Sequence, residues 1–265
     1  MRKYPLLLLI ACLTSCAMKS KTDYQTQIDP DTEAKANAII QSIVIPETGL
    51  PPGDMIAHIS ESFLGTPYKA DTLKGSTTTR ERLVADFNGV DCFTLIDYVQ
   101  ALSLSKKTGD FLSELVKTRY VDGKVDYLHR KHFFSDWYAT LPRNAENVTA
   151  TVSSNYVMVR KNLNRKADGG EYIAGLGIIP RELKYIPGDS LNNSILKNLR
   201  NGDFIGVYTP LEGLDVTHVG IVIKVDNEVW FRNASSLEKN MKVVDTPLLE
   251  YMKTKPGIIV LRAVE

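Results

Sequence analysis

The chain has 265 residues, 43% of them hydrophobic and 24% charged, with a formal net charge of +1. That length buries one sizeable core, with room for an insertion, and does not require two domains. No basic surplus points to nucleic acid, and no acidic tail suggests a solvating segment.

The first fifteen residues are not expected to belong to the fold. Arg2 and Lys3 precede an almost wholly apolar run from Leu6 to Leu13, too short to span a membrane as a mature helix and therefore read as a signal peptide. The run closes as Leu13-Thr14-Ser15-Cys16, which resembles the lipobox of bacterial lipoproteins. That resemblance implies a diacylated Cys16 as the new N-terminus and a lipid-anchored envelope protein. An ordinary cleaved signal is the alternative. Ala17 and Met18 follow with no Asp, which favours the outer membrane, facing the periplasm. Of the three cysteines, Cys12 leaves with the signal and Cys16 carries lipid, so Cys92 stands alone and no disulfide forms within one mature chain. A lone thiol in an oxidising compartment is a hazard unless it is buried or used.

Residues 16–30 are polar and aperiodic and read as a tether, with a single domain over 31–265. Helices are expected over Asp31 to Val44 and Asp54 to Leu64, separated by Pro46 and Pro51-Pro52-Gly53. His58 in the second reads as a surface or packing residue. Leu64-Gly65-Thr66-Pro67-Tyr68 is a turn presenting an aromatic hydroxyl, and Arg82 to Phe87 is a short strand. Apolar residues at Cys92, Leu95, Ile96, Val99 and Leu102 give helical spacing along one face, with Gly89 breaking the chain ahead and Asp91 a good N-cap. Gly109 to Lys117 suggests another helix. The stretch 106–190 is mixed and rich in turn residues and aromatics, and reads as an elaboration on the core, with a strand at Asn147 to Val152. A short helix at Ile195 to Arg200 precedes four strands: Phe204–Tyr208, His218–Val225, Val229–Asn233 and Ile258–Arg262. Asp226-Asn227 turns between the second and third, and a helix over Pro247 to Met252 precedes the last. Helices in front and an antiparallel sheet behind make an α+β plan.

The chemistry follows from three positions. Cys92 opens a helix, where unpaired N–H groups and the macrodipole favour the thiolate; the alternative is a small buried hydrophobe. His218 starts an apolar strand and Asn233, fifteen positions on, ends the neighbouring strand of the hairpin, so both lie near one open end. An amide oxygen there can accept from one imidazole nitrogen and hold the other toward a thiol. His129 and His132 lie three apart but lack a zinc-site pattern, so no metal is expected; packing or substrate contact is preferred for His132, Asp136 and Trp137.

Gly65-Thr66-Pro67-Tyr68, Val90-Asp91-Cys92, Asn201-Gly202-Asp203-Phe204, His218-Val219-Gly220-Ile221 and Asn233-Ala234-Ser235 occur in the order seen in NlpC/P60 cysteine peptidases, and the chain resembles that superfamily. Arg119-Tyr120, the stretch from His129 to Trp137 and Gly213-Leu214-Asp215-Val216-Thr217-His218 make it more similar to the N-acetylmuramoyl-L-alanine amidase-like family within it. The resemblance runs from about Leu64 to Arg262. It implies a papain-like fold, Cys92 as nucleophile and His218 as base. Asn233 takes a third position that is usually His. Tyr68, Asp91, His132 and Trp137 are the expected substrate-binding residues, and no cofactor is implied. The implied reaction is hydrolysis of a peptidoglycan amide, either N-acetylmuramoyl–L-alanine or D-glutamyl–diamino acid, with muropeptides as partners and the membrane reached through the lipid; separately, a monomer is expected. An acyltransferase of the same fold and a non-catalytic wall-binding lipoprotein are the alternatives.

Overall fold

The structure, a computed structural model, describes residues 23–264; the signal segment, Cys16 and the first part of the tether lie outside them. Within the described part of that tether, Gln25–Ile28 (β1) pairs in parallel with Arg82–Ala85 (β2). The strand is held through its backbone while its side chains are mostly exposed, which explains why its polar sequence carries no apolar alternation. Asp29 then caps the helix Pro30–Ile39 (α1), accepting from the N–H groups of Asp31 and Thr32, and the helix continues as a π turn to Val44. Pro51 and Pro52 start Pro52–Glu61 (α2). The helix that carries the thiol is Cys92–Leu104 (α3), followed by Phe111–Arg119 (α4).

The middle of the chain departs most from the expected pattern. It contains a one-turn helix Asp136–Ala139 (α5), a strand Ala145–Asn147 (β3) and a second one-turn helix Thr149–Val152 (α6). The strand expected over Asn147 to Val152 is not formed: β3 ends at Asn147, whose side-chain oxygen accepts from the Thr149 N–H and turns the chain into the helix Thr149–Val152. A ribbon of Val157–Leu163 (β4) and Ile179–Pro187 (β5) follows. Its alternation is obscured because β4 is largely exposed and β5 mostly half-buried.

The rest is the helix Asn193–Asn198 (α7), the strands Phe204–Tyr208 (β6), Val216–Val225 (β7), Glu228–Ser235 (β8) and Lys242–Pro247 (β9), the helix Leu248–Met252 (α8), and the strand Gly257–Ala263 (β10). Eight antiparallel strands run in the order β4-β5-β10-β6-β7-β8-β9, with β3 on the edge of β10 beyond β5. Strand alternation sorts side chains to two faces. Phe204, Val219, Ile221, Ala234 and Ile259 meet the front-half helices, including Leu95, Ile96 and Val99 of α3. Ile205, Val207, Val222, Phe231 and Val260 meet Leu196, Leu199, Leu248 and Met252 on the other side. Both faces are therefore covered, in a mixed helix and antiparallel-sheet fold. Among the described residues, no helix is long and apolar enough to cross a membrane.

Candidate active site

The thiol is delivered by a well-made helix start. Asp91 has extended backbone, and its Oδ1 accepts from the N–H groups of Phe93 (2.9 Å) and Thr94 (2.7 Å). The Thr94 hydroxyl accepts in turn from the Asp91 N–H at 2.9 Å, completing a reciprocal cap that fixes Cys92 at the first helical position.

The sheet opens to receive it. Strands β7 and β8 pair from Val225↔Glu228 only as far as Ile221↔Arg232, after which β8 continues with β9 alone. Gly220 stands at this point of separation. A Cβ there would lie 2.5 Å from both the Arg232 carbonyl oxygen and the Phe231 ring, so only glycine lets the two strands cross so closely. Beyond the opening, the Val219 N–H is directed at the Cys92 sulfur rather than into a β8 ladder.

Side chains bridge the opening. His218 Nε2 is 2.9 Å from Asn233 Oδ1. The Asn233 amide is oriented by its own Nδ2, which donates to the Phe231 carbonyl at 3.1 Å. Its oxygen therefore faces the imidazole, Nε2 carries the proton, and Nδ1 is left as an acceptor. Asn233 is buried and His218 half-buried. Burial pushes the His218 pKa below its usual 6.5; the Asn233 bond and the Asp91 charge oppose the shift and the Lys255 charge adds to it.

The electrostatics of the thiol correct the sequence expectation of a ready thiolate. Cys92 is pushed up to about 12, first by desolvation and next by the neighbouring Asp91 carboxylate. The N–H groups of Val219, Cys92 and Phe93 pull the other way and do not prevail. Near neutrality the Cys92 thiol is thus protonated and the His218 imidazole neutral.

Two tyrosines flank the sulfur. Tyr68, bridged to Val90 just ahead of the cap, has its hydroxyl pKa raised by burial and then by the charges of Cys92, Asp91 and Asp71. Tyr251, on α8, is raised by burial and by Cys92. Its ring centroid is 6.2 Å from that of His218 and 5.1 Å from that of Phe231, and the Lys255 ammonium lies 5.3 Å from the Tyr251 ring centre. Neither Tyr251 nor Lys255 belongs to a sequence motif. They reach the site only because β9 pairs with β8 and α8 folds back over the sheet.

The other expected substrate-binding residues lie elsewhere. Trp137 is fully buried, packed edge-on against Phe93 at 6.3 Å and Phe204 at 4.9 Å, so it is a core residue that supports the start of α3, not a substrate contact. His132 binds the Tyr127 carbonyl at 2.7 Å, sits edge-on to the Tyr127 ring, and is driven down to about 4 by burial. His129 bonds Asp126 instead, and Asp136 pairs with Arg181. His58 pairs with Glu47 at the surface. Among the described residues, no three His, Cys, Asp or Glu side chains converge as a metal site.

The family of N-acetylmuramoyl-L-alanine amidase-like proteins matches residues 58–258. The chain belongs to that family. Its fold is similar to the crystal structure of an N-acetylmuramoyl-L-alanine amidase from Bacteroides uniformis, with a TM-score of 0.67 and 29% identity over 81% of this chain and 99% of that one. A Bacteroides fragilis protein described as a candidate xylanase is 33% identical over 77% of this chain and 98% of its own, with a TM-score of 0.62. A Legionella pneumophila protein at 23% identity shares the fold, with a TM-score of 0.73 over 89% of this chain and 96% of that one. Among curated proteins, no sequence matches. The matched span of the amidase-like family holds Tyr68, Asp91, Cys92, His218, Asn233, Tyr251 and Lys255.

Proposed function

We propose that the chain is a cysteine amidase that hydrolyses an amide of peptidoglycan through a thioester on Cys92, with His218 as base and Asn233 as its orienting group. The observation that carries this reading is the 2.9 Å bond from His218 Nε2 to Asn233 Oδ1 across the β7–β8 opening where Val219 meets the sulfur. The wall as substrate rests on membership of the amidase-like family.

Because both partners are neutral, the proton moves as the bond forms. The thiol proton passes to His218 Nδ1 while sulfur attacks the carbonyl carbon, and the imidazolium is stabilised by its bond to Asn233. The developing oxyanion is met by the Cys92 N–H, with the Tyr68 hydroxyl, kept protonated by its raised pKa, as a second donor. Collapse expels the amine, which takes the proton from His218 and leaves the thioester. Water then attacks, giving its proton to the same nitrogen, and the acid and free thiol are released.

Glycoside cleavage, the activity in the description of the Bacteroides fragilis neighbour, calls for two carboxyls, one of them held protonated. Here Asp91 Oδ1 is occupied by the helix cap and Asp71 is exposed, which favours the thiol–imidazole reading. We also propose that the chain works at the bacterial envelope, tethered through Cys16 to the outer membrane on its periplasmic side. An acyltransferase would differ in that an added amine, not water, resolves the thioester. The test is mass spectrometry of purified muropeptides after incubation with the native protein and with Cys92→Ala. Native protein is expected to release one amide fragment and the variant none. Unchanged muropeptides with native protein would refute the hydrolase and leave wall binding.

A further inference from the structure

The surroundings of Cys92 and His218 are electrically lopsided. On the Tyr68 side stand two carboxylates, Asp91 and Asp71, whose charges reach the phenol. On the Tyr251 side stands one cation, Lys255. It is half-buried, its ammonium lies 5.3 Å from the Tyr251 ring centre, and among the described residues it makes no ion pair and its Nζ no hydrogen bond. Arg130, Arg181, Arg232 and Arg262 are matched by Glu81, Asp136, Asp245 and Asp203, whereas Lys35, Lys166 and Lys184, like Lys255, are half-buried over aromatic rings without an ion pair among the described residues; Lys255 differs from these in standing by the Tyr251 ring next to His218. An aromatic face gives a lysine modest attraction, but it leaves the positive charge uncompensated beside a base that must itself become positive during the reaction.

The position has a direction. His218 protonates the departing amine, so the leaving part of the substrate lies against the imidazole. Tyr251 is the ring at 6.2 Å from that imidazole, and Lys255 lies just across it. The two distances put the ammonium within about 12 Å of the imidazole, the reach of about three extended residues. Both peptidoglycan amides under consideration release an amine that carries a carboxylate within that reach.

We propose that Lys255 and Tyr251 form a carboxylate-binding subsite on the leaving-group side, so that the protein selects substrates whose released amine carries a free carboxylate over those in which it is amidated. The subsite rests on the hydrolase reading of Cys92 and His218 and names the substrate class within it. Tyr251 supplies an apolar face and a hydroxyl donor kept protonated by burial. Lys255 supplies the charge, and a charge-assisted bond at a half-buried place discriminates between acid and amide by about tenfold.

The experiment uses a matched pair of muropeptides, one with free carboxylates and one with those carboxylates amidated. Binding is measured by calorimetry on the Cys92→Ala protein, so that turnover does not interfere, and again with Lys255→Gln and Lys255→Arg added. Acid is expected to bind about tenfold more tightly than amide. Lys255→Gln should abolish the preference without lowering the melting temperature, and Lys255→Arg should retain most of it. An acid-to-amide ratio near one in the Lys255-containing protein, or the same ratio after Lys255→Gln, overturns the subsite. In parallel, hydrolysis is followed with Cys92 present. If both muropeptides are cleaved at equal rates, with and without Lys255→Gln, the subsite fails while the hydrolase stands. If neither is cleaved yet the binding preference is present and Lys255-dependent, the hydrolase fails while carboxylate recognition stands.

Discussion

In the middle segment, buried charges are met by groups of the protein itself. Arg181 bonds Asp136 at 2.9 Å and the Ser135 hydroxyl at 3.0 Å, and the buried Asp215 carboxylate accepts from the Ser135 N–H at 2.7 Å. Lys131 donates to the carbonyls of Lys117 and Pro142 and to Asn144 Oδ1, and burial holds it down to about 8. Lys161 donates to the carbonyls of Thr209, Leu211 and Leu214, pinning the loop that leads into β7. At the β7–β8 opening polar groups are instead left with valence to spare: the second nitrogen of His218 and the Lys255 ammonium. Closed polar networks fix geometry, and open ones do chemistry. The closed set braces the open one, through Trp137 against Phe93 and through Asp215 and Lys161 ahead of His218.

That contrast can be broken by mutation. The largest effect on stability is expected from Asp136→Ala, which strands Arg181 among buried groups. Urea unfolding should show a loss of about 3–5 kcal/mol, with the specific activity of the folded fraction unchanged. A large activity loss at full stability would move Asp136 from bracing to chemistry. Asn233→Ala should act the other way round, lowering kcat/KM about 10²-fold through the freed imidazole, while Asn233→His keeps an acceptor and most of the activity. The pH profile of kcat/KM sharpens the same point. Because His218 titrates below 6.5 and must be neutral to accept the proton, activity should persist at pH 6.5 and fall only as the pH drops through that lowered value. The unfolded chain takes up this proton more readily than the folded one, so stability is lost in the same direction. The smallest change is expected from Asp91→Asn, which keeps a capping side chain and costs under about 1 kcal/mol. Removing the carboxylate charge should lower the thiol from about 12, read as faster iodoacetamide alkylation at fixed pH.

Legibility in the sequence follows the same division. The start of α3 is readable because a capping Asp, a break at Gly89 and an apolar face are all local. β6 and the β7–β8 hairpin are readable because they are apolar runs around a tight turn at Asp226, whose φ is 54°. β1 and β4 are not, since their residues are mostly exposed, nor are β5 and β9, where polar residues and prolines interrupt any clean alternation and the ladder, not the side chains, defines them. Cys92, His218 and Asn233 stand out as residue types at element ends. Tyr251 and Lys255 do not, because only the fold-back of α8 brings them to His218. Trp137 misleads for a related reason: an aromatic within a motif signals a contact, and only burial shows that the contact is with Phe93 and Phe204. The basicity of the thiol could not be read at all, since burial outweighs the helix start.

Thioester formation is tested most directly by mass spectrometry of the protein quenched in acid during turnover of a muropeptide. A mass increment equal to the acyl part is expected on the peptide containing Cys92, and it should disappear with Cys92→Ala. Cleavage of the same muropeptide by Cys92→Ala at an undiminished rate, with no adduct on the native protein, would contradict it.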